Sequence, residues 1–364
     1  MPEPSAPSSL PPGGLLSGGT GGTTVFDLSE DRAVSPPAPT LNHGDEEAAA
    51  FVSDLAARVV REVHKSVQGQ DEVIEAAMVA LVAGGHALVE GVPGTAKTLL
   101  VRSIAAACQA DFKRIQFTPD LMPSDISGTN VLDMATSVFH LRQGPVFTEI
   151  LLADEINRTP PKTQAALLEA MEERRVSIDG ETHSLPSVFT VFATQNPVEY
   201  EGTYPLPEAQ LDRFLLKVNI TYPDEAAEMA MLRAYDQGFQ AANLATAGLE
   251  PVASVADLLR ARTSLTGVAV EPRILSYVTT IVRRTRENRQ LTLGASPRAT
   301  VALLAASKAL ALIRGRPFLT PDDVKTMALP VLRHRILLRP EAEIEGSGPD
   351  RVLRGILEGV EVPR

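Results

Sequence analysis

Short apolar runs alternate with longer amphipathic stretches along the chain as far as residue 220. Five runs are predicted to be strands, at residues 87–89, 112–117, 150–153, 188–193 and 214–220, and the apolar runs 87–89 and 150–153 have the composition of buried strands. The stretch 46–67 instead repeats an apolar side chain every four residues, which is typical of one face of a helix. Because apolar strands separated by helices are typical of parallel sheets covered on both faces, the pattern predicts an α/β core with a five-stranded parallel sheet.

Two segments interrupt this alternation. Residues 129–143 contain two short apolar runs that flank 134–137, and residues 176–184 contain the pair Asp179-Gly180. Asp-Gly between alternating residues is a strong signal for a two-residue hairpin turn, since both residues tolerate a positive φ. We therefore predict two antiparallel β-hairpins inserted into the core, with surface loops as the alternative.

The chain divides into three parts by composition and pattern. Residues 1–45 are rich in Pro, Gly, Ser and Thr and are predicted to be disordered, either as a passive tail or as a tether. Residues 46–222 form the predicted α/β core. Residues 223–364 carry no strand signal, and Ser296-Pro297 and Thr320-Pro321 are typical helix starts. This last part is predicted to be an all-helical domain.

Composition and charge narrow the classes of function. The 364-residue chain is 44% hydrophobic, and no apolar run is long enough to cross a bilayer, so no membrane span is predicted. The net charge of −11 argues against a protein that coats nucleic acid, although it is compatible with a local basic patch. The N-terminus has no pattern of a secretory signal, and the single cysteine excludes an intrachain disulfide. These features predict a cytoplasmic protein.

A phosphate-binding motif follows the first predicted strand. Residues 91–98 match G-x-x-x-x-G-K-[ST], except that Ala96 replaces the last glycine, a replacement that fits if its φ is negative. The loop and the helix start would bind a triphosphate, Lys97 would reach the β- and γ-phosphates, and the Thr98 hydroxyl would bind Mg²⁺. A Gly-Pro turn with a chance Lys-Thr is the alternative. The predicted nucleotide contacts are Gly91, Val92, Pro93, Gly94, Thr95, Ala96, Lys97, Thr98 and Leu99.

Polar residues stand at the ends of two further strands. Asp154 and Glu155 end the third apolar run, and Asn196 closes the fourth. Because ligands bind at the carboxyl ends of parallel strands, Asp154 could hold Mg²⁺ and Glu155 could orient or deprotonate the attacking water. Asn196 could contact the γ-phosphate or that water. Ordinary acids and turn residues at strand ends are the alternative interpretation.

Two arginines are candidates for charge stabilisation. Arg213 precedes the fifth strand in Leu-Asp-Arg-Phe, and Arg298 lies at the start of the helix capped by Ser296. The planar, permanently charged guanidinium is suited to a γ-phosphate. Considered alone, each arginine is better explained as a member of a surface ion pair.

The order of these motifs resembles the AAA+ ATPases, and more narrowly their MoxR branch, over residues 47–340. The matching segments read Leu-Ala-Asp-Glu-Ile-Asn-Arg, Ala-Leu-Leu-Glu-Ala-Met-Glu-Glu, Ala-Thr-Gln-Asn-Pro, Leu-Pro-Glu-Ala-Gln-Leu-Asp-Arg-Phe and Gly-Ala-Ser-Pro-Arg-Ala. The resemblance implies a P-loop NTPase (AAA+) core followed by a helical lid. It also implies that the two hairpins are the helix-2 insert and the pre-sensor-1 hairpin of this clade.

The resemblance assigns roles to matching residues around the nucleotide. Lys97 and Thr98 match the Walker A motif, Asp154 and Glu155 match Walker B, and Asn196 matches sensor 1. The segment near adenine corresponds to Val67, Gly69 and Gln70.

The resemblance also implies roles for three arginines. Arg213 matches the arginine finger, which acts on the nucleotide of the neighbouring subunit. Arg298 matches sensor 2, which reaches from the lid to the γ-phosphate of its own subunit. Arg158 is a further candidate for the subunit interface.

The function implied by the resemblance is Mg²⁺-dependent ATP hydrolysis by a homo-oligomer, usually a hexameric ring, with a chaperone-like role. The expected client is a protein partner, in this family often one with a von Willebrand factor A domain. A nucleic-acid motor of the same clade and a non-catalytic nucleotide-sensing scaffold are the alternatives.

Overall fold

The computed structural model describes residues 43–197 and 202–363. The helices are α1 (His43–Val63), α2 (Asp71–Ala83), α3 (Lys97–Ala107), α4 (Pro123–Ser127), α5 (Pro161–Glu173), α6 (Glu208–Leu211), α7 (Glu225–Asp236), α8 (Val255–Ser264), α9 (Pro272–Glu287), α10 (Pro297–Ile313), α11 (Pro321–Leu332), α12 (Pro340–Ile344) and α13 (Pro349–Glu358). Helix α1 starts three residues before its predicted start, and the remainder of the predicted tail, residues 1–42, lies outside the described residues.

The strands follow the predicted pattern closely. They are β1 (Ala87–Gly91), β2 (Phe112–Gln116), β3 (Gly128–Asp133), β4 (Val138–Gln143), β5 (Ile150–Asp154), β6 (Arg175–Ile178), β7 (Glu181–Ser184), β8 (Thr190–Gln195), β9 (Leu216–Ile220), β10 (Leu291–Leu293) and β11 (Leu337–Leu338). Five of them form one parallel sheet in the order β2-β5-β8-β1-β9, which confirms the predicted α/β core.

Strand β5, which lies between β2 and β8 in the sheet, shows why its apolar run is unbroken. Every residue of β5 is buried, because helices cover both faces of the sheet. Ile150 and Leu152 belong to the apolar cluster shared with α1, α2 and α3, whereas Leu151 and Ala153 belong to the cluster shared with α5. Since all five strands are parallel, their carboxyl ends meet at one edge of the sheet, where the predicted phosphate-binding loop, Asp154, Glu155 and Asn196 lie.

Both predicted hairpins are present. Strands β3 and β4 form one antiparallel pair, and β6 and β7 form the other. Asp179 and Gly180 have φ values of 50° and 88°, as a two-residue Asp-Gly turn requires. The Asn130 side chain donates a hydrogen bond to the Asp179 carboxylate (3.0 Å), so the two hairpins touch.

The part of the chain after β9 is a helical lid, as predicted, with one addition. The short antiparallel ribbon β10–β11 joins Leu291 and Leu338. Two or three residues are too few to produce a recognisable period, so the sequence pattern does not predict the ribbon. Helix α10 packs against α1 and α2, and its buried face belongs to the same apolar cluster. Among the described residues, none of the helices combines the length and apolar character of a membrane span.

Candidate active site

A cleft of about 1160 Å³ opens at the carboxyl edge of the central sheet. Its walls come from residues 65–70, from the loop before α3, from the ends of β5 and β8, and from α7 with the segment after it. The predicted site residues that line this cleft are Val67, Gln70, Pro93, Gly94, Thr95, Ala96, Lys97, Thr98, Leu99, Asp154, Glu155 and Asn196. The fold thus gathers distant segments of the chain into one pocket of a size that suits a nucleotide.

Two predicted glycines lie directly behind the cleft walls. A Cβ on Gly69, whose φ is +67°, would lie 2.4 Å from the Cβ of Ala227 in α7. A Cβ on Gly91 would lie 2.2 Å from the side chain of Ile220 and 2.5 Å from its carbonyl oxygen. Glycine is therefore required at both positions for β9 and α7 to approach the loop.

The loop between β1 and α3 is compact and carries backbone strain. The N-cap of α3, Ala96, has φ 61° and ψ 21°, so the condition under which alanine fits without strain, a negative φ, is not met. The loop must turn sharply to enter α3, and a left-handed residue achieves this at a cost of roughly 1–2 kcal/mol for a non-glycine. Lys97 Nζ donates to the carbonyl oxygens of Gly91 (2.6 Å) and Val92 (2.8 Å), and burial lowers its pKa against the opposing pull of the nearby acids.

Asp154 is 8% exposed and is held on both of its carboxylate oxygens. Thr194 Oγ1 donates to Asp154 Oδ1 (2.5 Å), and Arg114 donates to Asp154 Oδ2 through Nη2 (2.6 Å) and Nε (3.1 Å). The backbone N–H of Glu155 donates to the same Thr194 oxygen (2.9 Å). One buried hydroxyl from β8 therefore holds both the carboxylate of Asp154 and the backbone of Glu155.

Glu155 takes the left-handed conformation, with φ 59° and ψ 49°, which turns the chain away from the sheet. Its Oε2 accepts a hydrogen bond from Gln116 Nε2 (2.7 Å) and lies 3.3 Å from Arg158 Nη1. Arg114 Nη2 also donates to Gln116 Oε1 (2.7 Å). Side chains of β2 thus contact both acids of the neighbouring strand.

Arg114, Gln116 and Thr194 are site residues that the sequence reasoning missed. Arg114 and Gln116 are two residues apart in an apolar run, so they share one face of β2, and Gln116 lies in register with Asp154. Two polar residues on one face at the end of a predicted strand were the available signal. The pattern could be interpreted only once β2 was known to pair with β5, because this pairing places Arg114 and Gln116 beside the two acids.

Arg213 and Arg298 lie together, away from the cleft of their own chain, whereas Arg158 contacts Glu155 at the cleft. Arg213 Nε is 2.9 Å from Glu172 Oε2, and Arg298 Nη1 is 3.1 Å from Glu172 Oε1. Neither arginine is among the described residues that line the cleft. Arg298, which we expect to reach the γ-phosphate of its own subunit, lies outside the cleft of that subunit in this structure. The start of α10 packs beside the segment that carries Arg213 through a hydrogen bond from Ser296 to Asp212 (3.3 Å).

A glycine-bearing loop between a parallel strand and a helix, with two acids at the end of a second strand, defines a P-loop nucleotide-binding protein. Comparison with known protein families supports this class. Residues 86–216 match the family described as "ATPase family associated with various cellular activities (AAA)". Residues 283–356 match the AAA lid domain.

Relatives match nearly the whole chain. YeaC of Bacillus subtilis is 44% identical over 309 residues, covering 85% of this chain and 95% of YeaC. Chaperone MoxR1 of Mycobacterium tuberculosis is 41% identical over 355 residues, covering 95% and 91%. A crystal structure of a protein assigned as an ATPase from Cytophaga hutchinsonii superposes with a TM-score of 0.81 at 39% identity, covering 88% of this chain and 98% of that one. The chain belongs to the MoxR family of AAA+ ATPases, and its enzymatic activity is ATP hydrolysis.

Proposed function

We propose that this protein hydrolyses ATP with Mg²⁺ at sites shared by neighbouring subunits of a homo-oligomeric ring, and that it uses the energy to remodel a protein partner. One observation carries the proposal. The nucleotide-binding loop and both acids line one cleft, whereas Arg213 and Arg298 lie together outside it. A complete phosphoryl-transfer site therefore requires a second copy of the chain.

The cleft residues have complementary tasks in this proposal. The loop N–H groups and the start of α3 bind the phosphates of ATP, and Lys97 leaves its two carbonyl partners to neutralise their charge. Glu155 orients the attacking water and accepts its proton, after Gln116 releases the carboxylate. Asn196, which is buried at the end of β8, contributes a polar contact near the γ-phosphate.

The residues at the base of the cleft fit a magnesium ion. The Thr98 hydroxyl and the Asp154 carboxylate both line the cleft, and hard oxygen donors of this kind are what Mg²⁺ prefers. When bound, the ion supplies positive charge next to the phosphate oxygens. Thr194 keeps the Asp154 carboxylate oriented, and the guanidinium of Arg114 balances its charge.

The arginine pair supports an intersubunit site. The Arg213 side chain is 28% exposed and that of Arg298 is 52% exposed, so both can reach a neighbouring molecule. We propose that both act on the neighbour's γ-phosphate and that Glu172 holds them between cycles. In a head-to-tail ring, for which we propose six subunits, every cleft faces one such pair. Arg158, which contacts Glu155 at the cleft, is a further candidate for this junction.

The proposed client is a protein, and by the family resemblance we expect one with a von Willebrand factor A domain. The relative from Mycobacterium tuberculosis carries the description chaperone. The β3–β4 hairpin supports such a role, since it exposes Met134 (83%) and Phe139 (66%) where an apolar client segment could bind. The net charge of −11 disfavours the nucleic-acid motor.

The test is ATP turnover as a function of protein concentration. We expect specific activity to rise as the chain assembles, and Arg213→Ala to remove most turnover while ATP binding persists. Glu155→Gln should bind ATP without hydrolysing it. Specific activity that stays constant while the oligomer assembles would contradict a shared site.

A further inference from the structure

Arg335 is a buried charge that joins the lid to the segment carrying Arg213. It lies three residues after the end of α11, and its side chain is 3% exposed. Its Nε donates to Asp212 Oδ1 at 2.6 Å. Burial lowers the pKa of Arg335, whereas the hydrogen bond and the charge of Asp212 raise it, so this ion pair keeps the guanidinium charged inside the protein.

The same guanidinium also fixes the main chain on both sides of Arg213. One terminal nitrogen of Arg335 donates to the carbonyl oxygens of Asp212 (3.2 Å) and Phe214 (2.7 Å). The other donates to the carbonyl oxygens of Leu215 (3.1 Å) and Val331. Each of the five N–H donors of the guanidinium therefore has an acceptor, a match that only arginine can provide.

A second lid contact ends on the same carboxylate. Ser296 Oγ donates to Asp212 Oδ2 (3.3 Å), and Ser296 is the N-cap of α10, two residues before Arg298. Asp212 is thus held between Arg335 and Ser296. The chain segments that carry Arg213 and Arg298 are therefore both linked to the Arg335–Asp212 ion pair, in which Arg335 is buried and Asp212 is 23% exposed.

We propose that Arg335 is a positioning residue for Arg213 and Arg298. It keeps the segment 212–215, here called the finger segment, and the lid in one fixed arrangement. The guanidinium groups of Arg213 and Arg298 can then contact the neighbour's nucleotide together. This inference rests on the proposed function, in which these arginines complete a neighbouring cleft. Among the described residues, none of the groups that Arg335 contacts lines the cleft of its own subunit, so a positioning effect on Arg213 and Arg298 would be felt at the cleft of the next subunit.

Arg335→Lys is the informative substitution, because lysine keeps the charge beside Asp212 but cannot supply the other contacts. We expect kcat to fall by roughly 10- to 100-fold, the effect of a small misplacement of a catalytic group, with the KM for ATP and ATP binding unchanged. Arg333→Lys is the matched control. Arg333 lies two residues earlier and pairs with Asp350 instead, so this variant should retain its turnover.

Mixing subunits separates positioning from damage to the fold. Arg335→Lys subunits have an intact cleft, and Lys97→Ala subunits have a defective cleft but an intact finger segment. Their mixture should regain activity that neither variant shows alone, since wild-type Arg213 then faces a working cleft. A mixture of Arg213→Ala and Lys97→Ala subunits is the reference for full complementation.

Two outcomes would overturn the inference. The first is an Arg335→Lys variant with undiminished kcat while Arg213→Ala is inactive, which would leave the shared site intact and remove only the role of Arg335. The second is a recovery of ATPase activity when Lys97→Ala subunits are mixed with Arg213→Ala subunits but not when they are mixed with Arg335→Lys subunits. If Arg335→Lys does not bind ATP, Asp212→Asn takes its place in the same mixtures, because it preserves side-chain size and weakens the same ion pair. Inactivity of the wild-type assembly would instead refute the proposed function.

Discussion

Replacing Ala96 with glycine should stabilise the protein by relieving a left-handed backbone conformation in the phosphate loop. With φ 61° and ψ 21°, Ala96 has its Cβ close to the following carbonyl, which costs about 1–2 kcal/mol. Glycine removes this strain but gives the unfolded chain more conformational freedom, at a cost of about 0.5–1 kcal/mol. The expected net gain in the free energy of unfolding is about 0.5–1 kcal/mol.

Ala305→Gly provides the matched control for this substitution. Ala305 is half-buried in the middle of α10, where the backbone is right-handed. The same change of side chain should there destabilise the protein by about 1 kcal/mol, because nothing compensates the entropy of glycine in a helix. We therefore expect urea denaturation to show changes of opposite sign in the free energy of unfolding of the two variants. A loss of stability in Ala96→Gly equal to that in Ala305→Gly would refute the argument from strain.

Three further predictions concern the site and the core. Thr194→Val removes the hydroxyl that orients Asp154 and Glu155, and should lower ATPase activity roughly 10- to 100-fold, whereas Thr194→Ser should not, as steady-state assays would reveal. Gly91→Ala should destabilise the fold by about 1–3 kcal/mol in urea melts and weaken ATP binding in titrations, because the new methyl group overlaps β9. Burial holds the pKa of His86 at about 3, below its ordinary 6.5, so the unfolded chain binds the proton first. The free energy of unfolding should consequently fall as the pH drops from 6.5 towards about 3, and His86 should contribute about 1.4 kcal/mol per pH unit to this fall. Urea midpoints measured across this pH range give the slope.

The sheet and the cleft were predictable because their signals are local. The apolar run of β5 indicates a strand covered on both faces, and the acids that end it indicate the edge where ligands bind. The loop motif places Lys97 and Thr98 at the start of α3 by spacing alone. Parallel packing of these few elements then determines which side chains share the cleft.

The features that escaped prediction depend on contacts between distant parts of the chain. The left-handed φ of Ala96 follows from how α3 must leave β1, which no local preference of alanine indicates. The position of Arg298 depends on its contact with Glu172, which is 126 positions away in sequence, and on the packing of the lid. The role of Gln116 requires knowing that β2 lies beside β5.

The central claim is that one ATP is held by the cleft of one subunit and the arginines of the next. The most direct measurement is the ATPase activity of Lys97→Ala and Arg213→Ala subunits, assayed separately and after mixing in equal amounts. Both variants should be inactive alone. In a randomly mixed head-to-tail ring, about a quarter of the junctions combine an intact cleft with an intact arginine, so the mixture should recover about a quarter of wild-type activity. A mixture as inactive as its components would contradict the shared site.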